Sequence, residues 1–480
     1  MMTDNLQTSS LSGEPTDLAE NVVVVPTDDE SLVDFTDDEE TSPSEEEIDF
    51  EDELEGETNE SDKNLTKISS TKGGTERRRR KIFRRWRKGK SRKALFELKS
   101  RLEDAIDCDC LFDEEEQQGM VQNLRDISLW GVPLLPSKGH EGTDIILLKF
   151  LKAQAYKVNE ALESLRQTLI WRAKEGIDHI MEENLGDEDE LDKVIFVESS
   201  DREGHPLCFN LYGAFTNKAL YKKTFGTEKN RREFLRWRIQ FMEKSIKKLS
   251  FKIGGVDSFL VISDMKNAPG LANGIGELGP ISKDAVSIFQ QYYPELIYKH
   301  IVINAPFWYY MYHGLITQYC THGTRKKFVF SRPHKVTETL LKYIPPENIP
   351  LHYGGLRREN DDEFTSENAV LEFGIRAGAV STFQLPVPEG KVTITWEVMV
   401  VGWDITYKDE FIPDDEGSYK ILLHKEKKIE ESVRNSFYIN EPGKILISIK
   451  NTTYIKKKVF IRYKSKITLP VYMTTCEQNQ

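Results

Sequence analysis

The residues best equipped for chemistry in this 480-residue chain are cations, grouped for binding and not for catalysis. Twelve Lys/Arg fall within residues 77–93, led by Arg77, Arg78, Arg79 and Arg80 and interleaved with Ile82, Phe83 and Trp86. A second group, Lys456, Lys457 and Lys458, is followed by Arg462, Lys464 and Lys466. Residues 458, 462, 464 and 466 share one strand face at period two. Aromatics among cations suit the headgroup level of an anionic membrane, where each Lys or Arg contributes about 1 kcal/mol. A solvated linker or a nuclear signal competes for the first group, and a solvated sheet face for the second. Nucleic acid would use the same charges, but no base-stacking platform accompanies them, so it is not an expected partner. No HExxH, GxSxG or GxxxxGK[ST] occurs, and the nine histidines lack metal-ligand spacing. Gly274-Ile275-Gly276-Glu277-Leu278-Gly279 matches GxGxxG, but the nearest expected strand ends near Asp264 and Pro280 follows at once, which reads as a loop. No enzyme, metal or cofactor is expected.

The elements that must carry these charges fall into blocks. Of the 79 Asp/Glu, 23 lie in residues 1–62, which hold no Lys or Arg, leaving 56 against 66 Lys/Arg in the rest. An acidic tail thus precedes a mildly basic body. Residues 1–75 are too poor in apolar side chains to offset chain entropy and are expected to be disordered; Ser44 and Thr36 precede acidic runs that suit acidic-directed kinases. Residues 76–93 read as a polybasic linker, which the tail could mask. From 94 to 185 the pattern is helical, with Asn159 as an expected N-cap and Gly176 as a stop. From 190 to 356 strands alternate with helices, implying a mainly parallel sheet; Thr227 is an expected cap of a long helix. From 362 to 467 the period is two. Val392, Ile394, Trp396, Val398 and Val400 alternate with Thr393, Thr395, Glu397 and Met399, as in an antiparallel sandwich.

Residues 301–324 lack Asp, Glu, Lys and Arg. Asn304, Pro306, His313, Gln318 and His322 interrupt them, so they are not read as a spanning helix. Ile301 to Ile303 reads as a buried strand. Phe307, Tyr310, Met311, Gly314 and Leu315 follow at i, i+3, i+4, i+7 and i+8, the stripe of an amphipathic helix. Five cysteines without a CxxC pair argue for a reducing compartment. The N-terminus lacks a secretory pattern. A cytoplasmic location with peripheral membrane association is expected.

Tyr292-Tyr293-Pro294-Glu295, Ile301 to Pro306, Asp144 to Ala153 and Pro345 to Gly355 resemble the core of the CRAL-TRIO lipid-binding family. Gly402-Trp403-Asp404 and Phe411 to Tyr419 resemble a patellin-type GOLD domain, and Leu129 to Leu135 resembles the motif opening the patellin helical subdomain. The order of acidic tail, CRAL-TRIO unit and GOLD domain resembles the patellins. The resemblance implies an α/β lipid-binding fold with a helical N-terminal subdomain, plus an all-β GOLD sandwich. It also implies one bound phosphoinositide or other phospholipid, an anionic membrane surface, trafficking proteins as partners of the GOLD domain, and a role in vesicle traffic and cell-plate formation. An adaptor with a structural or empty pocket is the alternative.

By motif, the resemblance assigns the lipid headgroup to Glu295, Lys327, Thr324 and Asp264, and the gate over the pocket to Phe307, Tyr310, Met311 and Leu315. Glu295 as a helix cap and Lys327 as a solvated cation are the plain alternatives. Gln154, Ala155 and Leu296 stand where phosphatidylinositol-binding relatives carry cations. Either Lys152, Lys157, Lys299 or Lys326 meets a phosphate, or the ligand differs.

Overall fold

A computed structural model describes residues 24–26, 74–114, 116, 124–185, 188–269, 275–306, 309, 325–365, 368–402, 404–429 and 432–467, with side chains undescribed at 24–26, 74–88, 188–189 and 275–283. The acidic tail lies outside this set apart from β1 (Val24–Pro26), which pairs antiparallel with a later strand. The polybasic stretch, expected as a linker, is instead the start of helix α1 (Gly74–Asp107). Arg, Lys and Glu are good helix formers, and no proline interrupts them. Further along α1, Ala94, Leu98, Leu102 and Ile106 are buried at four-residue spacing, one face of a helix.

The helical subdomain builds on that face. Strands β2 (Ser128–Leu129) and β3 (Val132–Pro133) form a hairpin whose turn, Trp130-Gly131, has φ of +53° and +77°. Two positive φ values are what a tight two-residue hairpin turn needs. Helix α2 (Glu141–Ala153) is capped by His140, whose Nδ1 accepts from the Gly142 N–H. Helix α3 (Val158–Lys174) starts after Lys157, so Asn159 is inside it and not its cap; the Asn159 side chain receives Arg101 of α1 instead. Gly176, at φ +60°, ends the segment as expected. Helix α4 (Glu188–Leu191) leads to the sheet.

The central sheet has the order β4 (Ile195–Ser200), β5 (Pro206–Leu211), β6 (Phe259–Asp264), β7 (Ile297–Ile303) and β8 (Phe328–Ser331). Only β4 is antiparallel to its neighbour. Among the described residues the crossovers are α5 (Lys218–Phe225), α6 (Glu228–Ile246) and α7 (Ile275–Tyr292), with Thr227 capping α6 as expected through the Asn230 N–H. The Ile275–Gly279 part of the GxGxxG match lies in α7 and not in a loop, and it does not directly follow a strand. Helix α8 (Val336–Leu341) closes the unit.

The C-terminal block is a sandwich of antiparallel strands: β9 (Leu371–Ile375), β10 (Val380–Val387), β11 (Val392–Val400), β12 (Ile405–Pro413), β13 (Ile421–Ile429), β14 (Val433–Ile439), β15 (Gly443–Asn451) and β16 (Lys457–Ile467). One sheet is β1-β10-β15-β12-β13 and the other β14-β11-β16-β9. Trp396, Tyr407, Phe383, Phe411, Ile447 and Ile461 fill the space between them.

The expected alternation in β11 fails on its outer side. Thr395, Glu397 and Met399 are buried as well as the inward residues. The reason is a second covering layer: Met399, Val401 and Phe460 join one apolar cluster with Leu340, Ile344, Leu356 and the β5, β6 and β7 residues Leu207, Leu260 and Ile301. The α/β unit and the sandwich therefore share a core. Glu397 is fully buried there and accepts from Arg358 (2.8 Å), Arg434 (2.9 Å) and Arg462 (2.7 Å). Burial opposes its charge, but the three guanidinium groups hold its carboxyl below the usual range. Arg462 also donates to the Leu356 carbonyl at 2.8 Å and lies 4.4 Å over the Phe364 ring.

This corrects the basic strip on β16: Arg462 is an internal ion, and Lys457 is buried with its amine on the Gly402 carbonyl. Lys458 pairs with Glu372 and Lys464 with Glu363, while Lys456 is exposed. Glu397→Ala would strand three guanidinium groups and should cost about 3–5 kcal/mol, the range for breaking a buried ion pair. An unchanged denaturant midpoint would show that the network contributes no stability.

Candidate functional site

The turn Tyr293-Pro294-Glu295 is held from three sides. Proline excludes the helical conformation from the residue before it, so α7 stops at Tyr292. Tyr292 stacks on Trp171 at 4.2 Å, and Tyr293 stacks on Trp130 at 6.2 Å. The Tyr293 hydroxyl donates to Glu243 at 2.6 Å, and Arg172 grips both Glu243 and Asp178. Glu295 itself sits at φ +57°, a left-handed conformation that is uncommon without glycine. Its carbonyl oxygen accepts from the Lys149 ammonium at 3.0 Å. Lys149 comes from α2, is buried, and also donates to the Asp257 carbonyl at 2.8 Å while pairing with the Asp257 carboxylate at 3.1 Å.

The turn delivers the Glu295 carboxylate to Lys327, 2.9 Å away at the start of β8. Both side chains keep about a fifth of their surface, 19% and 21%. The Lys327 backbone is held by the His300 N–H on its carbonyl. The structure thus brings Glu295 and Lys327 together, at the N-terminal ends of β7 and β8.

Asp264 is elsewhere. It ends β6 opposite Ile303, while the start of β6 lies opposite Ile297. At about 3.3 Å per residue it stands roughly 20 Å along the sheet from Glu295. Its carboxylate is taken by the Tyr353 hydroxyl (2.7 Å), the Asn304 amide (2.8 Å) and the Lys266 N–H (2.8 Å). The expectation of a single headgroup cluster is corrected: two ends of a parallel sheet cannot meet on one small group. Thr324 and the gate residues Phe307, Tyr310, Met311 and Leu315 lie outside the described residues. So do the side chains of Arg77 to Arg80.

Between the two ends runs a feature that the sequence reading missed. On the sheet face away from α8, Asn210 of β5 donates to Ser263 of β6 at 3.3 Å, and Ser263 meets His300 of β7 at 2.8 Å. Arg238 of α6 reaches Asn210 at 3.4 Å and lies over the Phe289 ring at 5.6 Å. Cys208 shares this face, and burial pushes its thiol up to about 11. Burial likewise raises the nearby Tyr212 hydroxyl. Met265, Val302, Phe328 and Phe330 complete the face, with Tyr309 packed against them. A polar ladder thus crosses an apolar wall. Its signal in the sequence was a lone Asn, Ser and His inside strands that otherwise read as core.

An open cleft of about 480 Å³ lies against Gln154, Asn159, Glu163, Ser164, Gln167 and Gln291. No cation lines it, and its two carboxylates, Glu160 and Glu163, are paired with Lys157 and Arg166. Of the substitute lysines, Lys157 is paired with Glu160, and Lys299 lies over the Tyr343 ring. Among the described residues no group of three His, Cys, Asp or Glu could hold a metal, and no helix is long and apolar enough to cross a membrane.

Burial lowers the Lys149 ammonium from its ordinary 10.5 to about 8, against the opposing charge of Asp257. The folded chain releases this proton near pH 8 and the unfolded chain near 10.5. Stability from this group therefore rises between those values, because the unfolded state binds more protons there. Lys149→Met should cost about 1–3 kcal/mol near neutral pH by leaving carbonyls unpaired, and the gap to the parent should widen from pH 8 upward. A gap that stays constant with pH would place Lys149 in solvent.

Residues 191–355 match the CRAL/TRIO domain family, and residues 376–458 match the patellin-1-like C-terminal GOLD domain. Patellin-3 of Arabidopsis thaliana is 39% identical over 382 residues, which cover 78% of this chain and 74% of that protein. Patellin-4 of the same plant is 46% identical over 345 residues, covering 71% of this chain and 62% of its own length. The match thus spans less than two thirds of Patellin-4. A protein named phosphatidylinositol transfer protein sfh5, from Sclerotinia sclerotiorum, is 28% identical over 257 residues, covering 49% of this chain and 58% of that protein.

Proposed function

The chain belongs to the patellin family, and on that footing we propose that it binds one phospholipid in the α/β unit and works as a carrier or sensor at membrane surfaces. The observation that carries this reading is the sheet face away from α8. Asn210, Ser263 and His300 form a connected polar line on a wall otherwise made of Val302, Phe328 and Phe330. An apolar wall with a few fixed polar groups suits a ligand that is mostly hydrocarbon. At the N-terminal strand ends, the Glu295–Lys327 pair supplies one cation and one carboxylate. The ammonium suits a phosphate and the carboxylate suits hydroxyls.

The single ammonium of that pair favours a headgroup with one phosphate over a multiply phosphorylated inositide, since an unpaired buried phosphate is costly. The fungal relative's name supports phosphatidylinositol as the first lipid to try. Domain limits of 94–185, 190–356 and 362–467, with Thr324 and the 307–315 gate at the pocket, remain part of this proposal. A cytoplasmic location, trafficking partners for the GOLD domain and a part in cell-plate formation rest on the family resemblance.

Membrane contact is assigned to two places. One is the basic first half of α1. The other is the turn between β15 and β16, where Tyr454 is 99% and Ile455 60% exposed beside Lys456. A ring and a branched chain next to a lysine suit the headgroup boundary.

Two measurements test the reading. Lipid extracted from purified protein and from Glu295→Gln/Lys327→Met should differ: the parent carries phospholipid by mass spectrometry, and the variant carries severalfold less with unchanged thermal stability. Equal loading would remove the pair from the site. Neutralising Arg77 to Arg80 should weaken binding to anionic vesicles, and parent binding should fall with salt, because exposed charges are screened over about 8 Å at physiological ionic strength. Equal binding to neutral vesicles would rule out the electrostatic contact.

A further inference from the structure

Three of the four outer strands of the sandwich carry charged side chains and one carries none. Strand β13 carries His424-Lys425-Glu426-Lys427-Lys428, β14 carries Arg434, and β9 carries Glu372. Strand β10, Val-Ser-Thr-Phe-Gln-Leu-Pro-Val, has no ionisable residue at all. On one side it pairs with β15 over its full length. Its other side would be an open row of backbone donors and acceptors, the kind of edge that recruits a foreign strand.

That side is occupied by Val24–Pro26, in the register Val24 to Phe383, Val25 to Thr382 and Pro26 to Ser381. The occupant has the chemistry an edge cover needs. It comes from Val22-Val23-Val24-Val25, a β-branched run suited to a strand. Pro26 ends it and cannot donate to a further strand. Glu20 on one flank, and Asp28, Asp29 and Glu30 on the other, surround the run with like charge.

We propose that the outer edge of β10 is a strand-acceptor site closed in cis by residues 24–26 of the same chain. The closure is short. Three paired residues gain few hydrogen bonds, and the net worth of each is comparable to the entropy of ordering one residue. The strand holds because it is part of the same molecule, which supplies a high local concentration, and it can therefore be displaced. The site recognises an extended, β-branched, proline-terminated segment by main-chain pairing, the β-augmentation mode. It also anchors the start of the acidic tail to the GOLD sandwich, more than three hundred residues away in sequence.

The test is backbone hydrogen exchange over residues 380–387 in the full chain, in a variant lacking Val24–Pro26, and in Val25→Pro. The β10 amides opposite the strand, within 381–383, that face away from β15 should exchange at least tenfold faster in both variants, while β15 is unchanged. A peptide spanning residues 20–29, added at millimolar concentration, should restore protection to the deletion variant. Retained protection in a variant that has become a dimer also supports the acceptor, because a second copy then fills the edge. Unchanged exchange in a monomeric variant overturns the proposal. So does a loss of protection that the peptide fails to reverse.

Discussion

A parallel sheet must be covered on both faces, because its strands are joined by crossovers that leave neither face to water. Much of the arrangement follows from that constraint. Leu207, Leu260, Ile301 and Ile303 line one face and are covered by α8 and the segment through Leu356. That cover is thin, and Met399, Val401 and Phe460 of the sandwich complete it. The GOLD sandwich is therefore part of the core of the α/β unit. The opposite face is held differently. It is desolvated enough to raise the Cys208 thiol and the Tyr212 hydroxyl, yet it carries the Asn210–Ser263–His300 line. One face is wholly apolar and the other carries a buried polar line.

Two buried ions sit at the joints of this architecture. Lys149 links the helical subdomain to the turn that aims Glu295, and it does so through the backbone carbonyls of Asp257 and Glu295. Glu397 links the sandwich to the segment leaving the α/β unit through Arg358 and Arg462. In both places an ion costs much to desolvate and is kept only with several partners. Such partners have fixed directions, so a charged joint sets an orientation where apolar contact alone would permit sliding. The strained Glu295 backbone is tolerated for the same reason: Lys149, Tyr293 and Trp130 over-determine its place.

Reading the chain as residues alone went far with the architecture. Period two after residue 360, alternating strands and helices before it, and the Thr227 cap all follow from local chemistry, because periodicity and capping are settled within a few residues. The Tyr-Pro-Glu turn was legible because proline constrains its neighbour directly. The site was less legible. Lys149 lies among Ile145, Ile146, Leu147, Leu148, Phe150 and Leu151, and a lysine in such a run announces burial but not its partners. Glu397 looked like the outward residue of an alternating strand, and Arg462 like part of a basic surface strip.

What the sequence by itself determined is therefore most of the elements after residue 93, their order, and the turn that brings Glu295 to the sheet. Each depends on interactions between near neighbours. What only the tertiary structure decided is which polar groups share a place. Glu295 meets Lys327 because β7 and β8 run parallel in register, and Asp264 is kept apart because it terminates its strand at the far end. The burial of Lys457 and Arg462, and the pairing of Val24–Pro26 with β10, likewise depend on segments distant along the chain. A residue's exposure is set by what packs over it, and no local pattern carries that information.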